Sequence, residues 1–203
     1  MRRGALLPRS FYARPAPAVA RDLLGCVVEV AAPDGIVAVR IVETEAYAGQ
    51  DDPASHAWRG PTPRSGVMFG PPGRTYVYFS YGMHWALNLV CERRGRAAAV
   101  LLRAGEVVEG VELAASRRRP GTAASRLASG PANLAACLGL DGDSNGLDVT
   151  TTGSPVRVRR GVAAHDHEVG TGPRIGISRA VDVPWRFRIL GDAHVSGARR
   201  LNP

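Results

Sequence analysis

The sequence contains no lysine. All 26 of its basic residues are arginine, so no lysine amine is available to form a Schiff base with a carbonyl. The three cysteines, Cys26, Cys91 and Cys137, stand apart without C-x-x-C spacing. The sequence signatures of a zinc site and of a disulfide frame are therefore missing. His165 and His167 lack neighbouring ligands to complete the roughly three or four that a metal needs, so they read as a surface loop. No metal and no other cofactor is expected. No apolar run reaches the ~18 residues of a membrane-spanning helix, and the N-terminal MRRGALLPRSFYARPAP has too short an apolar run for a signal peptide. A soluble, non-exported protein of a reducing cytoplasm, without membrane contact, is expected. Repeats and low-complexity tracts are also absent.

What is present suffices for one core. At 203 residues and 45% apolar, the chain reads as a single domain over 1–203, with about eight N-terminal and ten C-terminal residues peripheral. The net charge of +8 and pI near 10.4 suit a polyanionic partner such as nucleic acid. An arginine-only basic set also follows from genome composition alone.

The segment 41–88 holds most of the acid, base and polar aromatic groups. A β-branched strand, 36–42, begins after Pro33-Asp34-Gly35 and runs on into Glu43-Thr44-Glu45-Ala46-Tyr47. Alternation puts Glu43, Glu45 and Tyr47 on one face and Thr44 and Ala46 on the other. Two glutamates on one strand face either wet it or point into a cavity. The loop from Gly49 to Gly73, with His56 and Trp58, is too long for a simple connector, and Trp58 and Val67-Met68-Phe69 read as its apolar anchors.

Residues 74–80 and 83–90 then read as a hairpin with Tyr81 at its tip. A two-residue loop, 81–82, opposes Tyr78 to Trp85 and sends Asn88 to the other face. A three-residue loop, 80–82, opposes Tyr78 to His84 and puts Ala86 and Asn88 on Tyr78's face. Only an odd loop or a bulge gathers the polar groups. Tyr81 either folds back on the sheet or serves as a wedge between base pairs.

Around this stretch, 18–24 reads as a helix stopped by Gly25, and 26–31 as a strand. Residues 97–104 read as a buried strand ending in Arg103, whose natural partner is Glu45. Residues 106–119 read as a helix with Arg117-Arg118-Arg119 in its last turn. Pro131 opens a helix that Gly139 closes, and its start suits either a phosphate or a plain connector role. Segments 149–160, 174–178 and 185–189 read as short strands, and the tail beyond Gly191 as frayed.

The motifs ETEAY, SHAWRG, TPR, VMFGPPG, YVYFSYGMHWALN, LLRA, SGPANL and RIGIS together resemble the alkyladenine (3-methyladenine) DNA glycosylase family, from about Pro8 to Gly191. With the elements above, that resemblance implies an α+β fold. The expected form is a single domain with a curved, mostly antiparallel sheet flanked by short helices and a protruding β-hairpin. It also implies a monomeric base-excision enzyme acting on double-stranded DNA with damaged purines. Tyr81 would fill the gap left by a flipped nucleotide, and Met83 would touch the minor groove.

By the same resemblance, Tyr47 and His56 on one side and Tyr78 on the other would stack the base, with electron-poor alkylated purines held best. Asn88 would crowd the amino group of normal guanine, and the main chain of Ile175 would read the base edge. Glu45 would deprotonate the attacking water, and Arg103 would keep that carboxylate ionised despite burial. Without lysine, water is the expected nucleophile and an uncut abasic site the expected product. Hypoxanthine and ethenoadenine join 3-methyladenine and 7-methylguanine as candidate substrates. For the neutral ones, the sequence offers no evident general acid.

A non-enzymatic damaged-DNA- or RNA-binding module explains the charge and the tyrosines but not Glu45 and Arg103. A sugar hydrolase wants carboxylates across a cleft, which one strand face does not supply.

Overall fold

The computed structural model of the chain describes residues 4–80 and 82–197. Nine strands form one antiparallel sheet: β1 (Val27–Ala32), β2 (Gly35–Tyr47), β3 (Thr75–Ser80), β4 (His84–Val90), β5 (Ala99–Glu109), β6 (Ala128–Ser129), β7 (Val156–Arg159), β8 (Val169–Gly172) and β9 (Arg186–Ile189). The order runs β3-β4-β5-β2-β1-β7, with β6 on β5, β9 on β2 and β8 on β9. Four short helices accompany it: α1 (Arg9–Tyr12), α2 (Ala16–Asp22), α3 (Val111–Ser116) and α4 (Pro131–Leu138). The α+β expectation holds.

Strand β2 is the spine. Its β-branched start pairs with β1 across the tight turn Pro33-Asp34, Ala32 facing Gly35. Further along, Glu43, Thr44 and Glu45 face Arg188, Phe187 and Arg186 of β9, while β5 covers the opposite edge. Both glutamates therefore lie in the interior of the sheet.

The β2–β5 ladder slips three times, first between Ala38 and Val39, where Val108 is skipped. Ile41 faces Gly105, Glu43 faces Ala104 and Thr44 faces Leu102, so Val42 and Arg103 are each skipped. A bulge re-aims the side chain it carries, and Arg103 is brought to the glutamate face.

The two faces of β2 have opposite fates. Thr44 and Ala46 turn to the main core, where Thr44 donates to the Ala20 carbonyl of α2 at 2.8 Å. Glu43 and Glu45 turn to the other side and are nonetheless fully buried. Neither face is wet.

Several boundaries differ from the sequence expectation. The helix expected over 106–119 begins as strand, because Val107 and Val108 carry β5 on to Glu109. Gly110 then turns the chain with φ +72, against the Ile36 carbonyl where a Cβ would sit at 2.1 Å, and α3 begins only afterwards. Segment 174–178 is a loop with Gly176 at φ +76, and 149–160 is strand only over Val156–Arg159. By contrast, α4 does run from Pro131 to a left-handed Gly139 at φ +69. No helix among the described residues is long and apolar enough to cross a membrane.

The termini are less peripheral than expected. Leu7 is fully buried and its N–H donates to Val158 at 2.9 Å. Past Gly191, Val195 packs against Val42 and Ala104, and Ser196 is buried as well. An apolar anchor on the back of β2 outweighs the entropy of a free tail.

Candidate active site

A cavity of about 810 Å³ opens on the glutamate face of the sheet. Tyr47, His56, Tyr78, Asn88, Arg103 and Ile175 all line it. Six of the residues singled out in the sequence, spread from position 47 to 175, thus surround one space.

Glu45 lies just beneath its floor with no exposed surface. Oε1 accepts from the Ile175 N–H at 2.8 Å and faces Arg103 Nη1 at 3.1 Å. Oε2 accepts from the Tyr47 hydroxyl at 2.8 Å. Burial is the main cause that raises the Tyr47 phenol, with the Glu45 charge adding to it, so Tyr47 stays a donor.

Arg103 also donates from Nε to Glu43 at 3.0 Å. Glu43 takes a second guanidinium, Arg186 Nε at 2.6 Å, and the Ser196 N–H at 2.7 Å. Burial alone would push the Glu43 carboxyl up, but Arg103, Ser196 and Arg186 together hold it below the usual range. Two glutamates and two arginines, all essentially inaccessible, form a charge-balanced cluster behind the cavity. Buried charges persist only when paired in this way.

The aromatic wall comes from the hairpin. Ser80 faces His84, Tyr78 faces Ala86 and Tyr76 faces Asn88, so the connection is the three residues 81–83. The loop is odd, and it lies one position beyond the odd loop weighed from the sequence. Parity is what matters: Tyr76, Tyr78, Ala86 and Asn88 all reach the cavity. Asn88 is buried and donates from Nδ2 to the Tyr76 carbonyl at 3.0 Å. Met83 is 69% exposed beyond the hairpin end. Tyr81, expected to be the wedge, lies outside the described residues.

One expectation needs correcting. His56 does not stand beside Tyr47: its ring meets Tyr78 edge-on at 4.6 Å, and its Nδ1 is 2.9 Å from the Tyr76 hydroxyl. Its surroundings, first by desolvation and then through Arg64, lower its pKa. The Ile175 N–H is engaged by Glu45, so of that residue's main chain the carbonyl is the group left for a base edge.

Sequence reasoning also passed over several groups. Glu43 and Arg186 fix Arg103 from behind, and Tyr76 joins the aromatic wall with its phenol pushed up to about 12, chiefly by burial. Asp52 and Arg174 form a buried pair at 2.5 and 2.9 Å that ties the 48–74 loop to the 174–178 segment. Of these, Glu43 alone left a signal, two residues before Glu45 on the same face. The loop anchors Val67, Met68 and Phe69 pack as expected with Tyr76 and Ala99. Trp58 instead carries two guanidiniums on its ring, Arg179 at 4.6 Å and Arg59 at 5.6 Å from its centre. No cluster of three or more metal-binding side chains occurs among the described residues.

Comparison with known proteins adds an independent line. The family described as methylpurine-DNA glycosylase (MPG) matches residues 10–193. A protein of Streptomyces avermitilis named "Putative 3-methyladenine DNA glycosylase" is 50% identical, covering 97% of this chain and 93% of that protein. Proteins of the same name from Frankia casuarinae and Burkholderia lata are 52% and 45% identical, covering 93% and 96% of this chain and 91% and 92% of their own lengths.

Proposed function

The chain belongs to the methylpurine-DNA glycosylase family, and from that premise we propose that it hydrolyses the N-glycosidic bond of alkylated and deaminated purines in duplex DNA. The substrates are 3-methyladenine, 7-methylguanine, hypoxanthine and ethenoadenine. The products are the free base and an intact strand with an abasic site.

The observation that carries this reading is the setting of Glu45. A carboxylate has about four acceptor positions, and three are taken by Arg103, Ile175 and Tyr47. The remaining one, on Oε2, suits the proton of an attacking water. As the bond to the base breaks, positive charge grows on the sugar, and the fixed negative charge of Glu45 favours that transition state. Tyr47 orients Oε2, and Arg103 orients Oε1 while sharing its own charge with Glu43.

A base within a duplex cannot reach such a cavity unless its nucleotide is turned out. The extruded purine is stacked between Tyr47 on one side and Tyr78, with His56 against it, on the other. Asn88 crowds the position of a 2-amino group, and the backbone of Ile175 lies at the base edge. Exposed Met83 meets the minor groove, and Tyr81 fills the vacated stack. With no lysine in the chain, water is the nucleophile and no lyase step follows. The protein acts as a monomer.

The test is a panel of duplexes, each with one of the four lesions, assayed for free base and for strand integrity. Release of base with breakage only after alkali is the expected result. No base from any duplex, or a borohydride-trapped covalent adduct, overturns the reading.

A further inference from the structure

Of the three tyrosines that line the cavity, Tyr47 and Tyr78 already carry a guanidinium on their rings. Arg174 lies 4.7 Å from the centre of Tyr47, and Arg64 lies 4.6 Å from the centre of Tyr78. The two differ in charge balance. Arg174 is fully buried and its charge is met by Asp52. Arg64 is exposed, lines the cavity, and has no acidic partner among the described residues. It donates from Nη2 to the Phe79 carbonyl at 3.5 Å and also hydrogen-bonds the Tyr76 side chain. Arg103 is likewise neutralised, by Glu43 and Glu45. Of the arginines within the cavity, Arg64 therefore brings uncompensated positive charge to a ring that stacks the base.

We propose that Arg64 is a charge filter of the base cavity, disfavouring purines that carry a positive charge relative to neutral ones. The inference rests on the glycosylase reading above and concerns its substrate class. A cation is attracted to an aromatic face by the ring's negative quadrupole. A ring that already holds a guanidinium has less of that attraction to give, and the two cations repel each other through it. A neutral purine is held by dispersion and apolar contact, which a distant charge barely alters. The depressed pKa of His56, to which Arg64 contributes, reports the same field. 7-Methylguanine and 3-methyladenine are cationic when bound in DNA, whereas hypoxanthine and ethenoadenine are neutral. The tyrosine walls alone favour the first pair; Arg64 shifts the balance toward the second.

The experiment compares kcat/KM for 7-methylguanine and for hypoxanthine in the same duplex context across four proteins: wild type, Arg64→Gln, Arg64→Lys and Arg179→Gln. Arg64→Gln raises the ratio of 7-methylguanine to hypoxanthine excision by about threefold or more, the scale of one cation–π contact. Arg64→Lys keeps the charge and stays closer to wild type. Arg179 is another mouth arginine without an acidic partner among the described residues, but it sits on Trp58; its replacement lowers both rates alike through lost phosphate attraction. An unchanged ratio in Arg64→Gln, or a proportional or complete loss of both activities, overturns the filter and leaves Arg64 as a DNA contact. If the wild type releases both bases, such a result counts against this inference alone. If the wild type releases neither, the glycosylase reading falls and the filter with it.

Discussion

The guanidinium of Arg103 spans Glu43 and Glu45, 3.0 Å from the first through Nε and 3.1 Å from the second through Nη1. One cation thus holds both carboxylates, and Glu43 is itself held by Arg186 and Ser196. Removal of any member leaves an unbalanced buried charge.

Glu45→Gln keeps the shape and most contacts at the cavity floor while removing the base for the attacking water. Binding of lesion-containing duplex is expected to persist, and excision in single-turnover assays to fall by at least ~100-fold. Near-normal turnover in this variant removes Glu45 from the chemistry.

Glu43→Gln leaves Arg103 and Arg186 with too little negative charge around them. A loss of roughly 3–5 kcal/mol of stability in urea or guanidinium titrations is expected, as for other broken buried pairs. The pH dependence has a definite sign. The Glu43 carboxyl is depressed in the folded protein, so its contribution is fully present above the unfolded value near ~4.3. It is lost as pH falls from there through the folded value. Wild type should therefore lose stability more steeply than Glu43→Gln on acidification below that point. Parallel curves contradict the assignment.

Ending the chain after Gly191 removes the Ser196 N–H from Glu43 and exposes the apolar patch under Val195. The truncated protein should melt several degrees lower, at about 2–4 °C per kcal/mol for this size. Excision should slow with KM little changed, because Arg103 loses its backing rather than the base its wall. A truncation without effect on melting or rate shows the tail to be dispensable.

Asn88→Ala opens the space beside the Tyr76 carbonyl to which Asn88 now donates. The expected outcome is measurable release of normal guanine from undamaged duplex, with hypoxanthine excision reduced by less than tenfold, within about 1.4 kcal/mol. Continued rejection of guanine assigns discrimination elsewhere in the cavity.

The strand over 36–47 was legible because alternation is local: a period of two fixes which side chains share a face, whatever lies beside them. The helix over 131–138 was legible for a similar reason, with Pro131 and Gly139 marking its ends. Residues 106–109 misled, since two glutamates ahead of an arginine triplet suit a helix. Pairing with β2 and the turn at Gly110 overrode that propensity. Segment 174–178 misled in a related way: its β-branched residues suit a strand, but the Ile175 N–H is drawn to Glu45 rather than to a ladder partner. His56 was placed on the wrong wall because nothing within its own loop specifies which tyrosine it meets.

By itself, the sequence determined that Glu43, Glu45 and Tyr47 share a face, that no lysine amine takes part, and that only an odd hairpin loop or a bulge gathers Tyr78 with Asn88. Tertiary structure alone decided that Arg103 answers to both glutamates, that Ser196 closes the cluster 153 residues from Glu43, and that Arg64 lies on Tyr78. The division is physical. Backbone periodicity acts over a few residues, whereas a buried charge is satisfied by whichever donor the packed chain brings within about 3 Å.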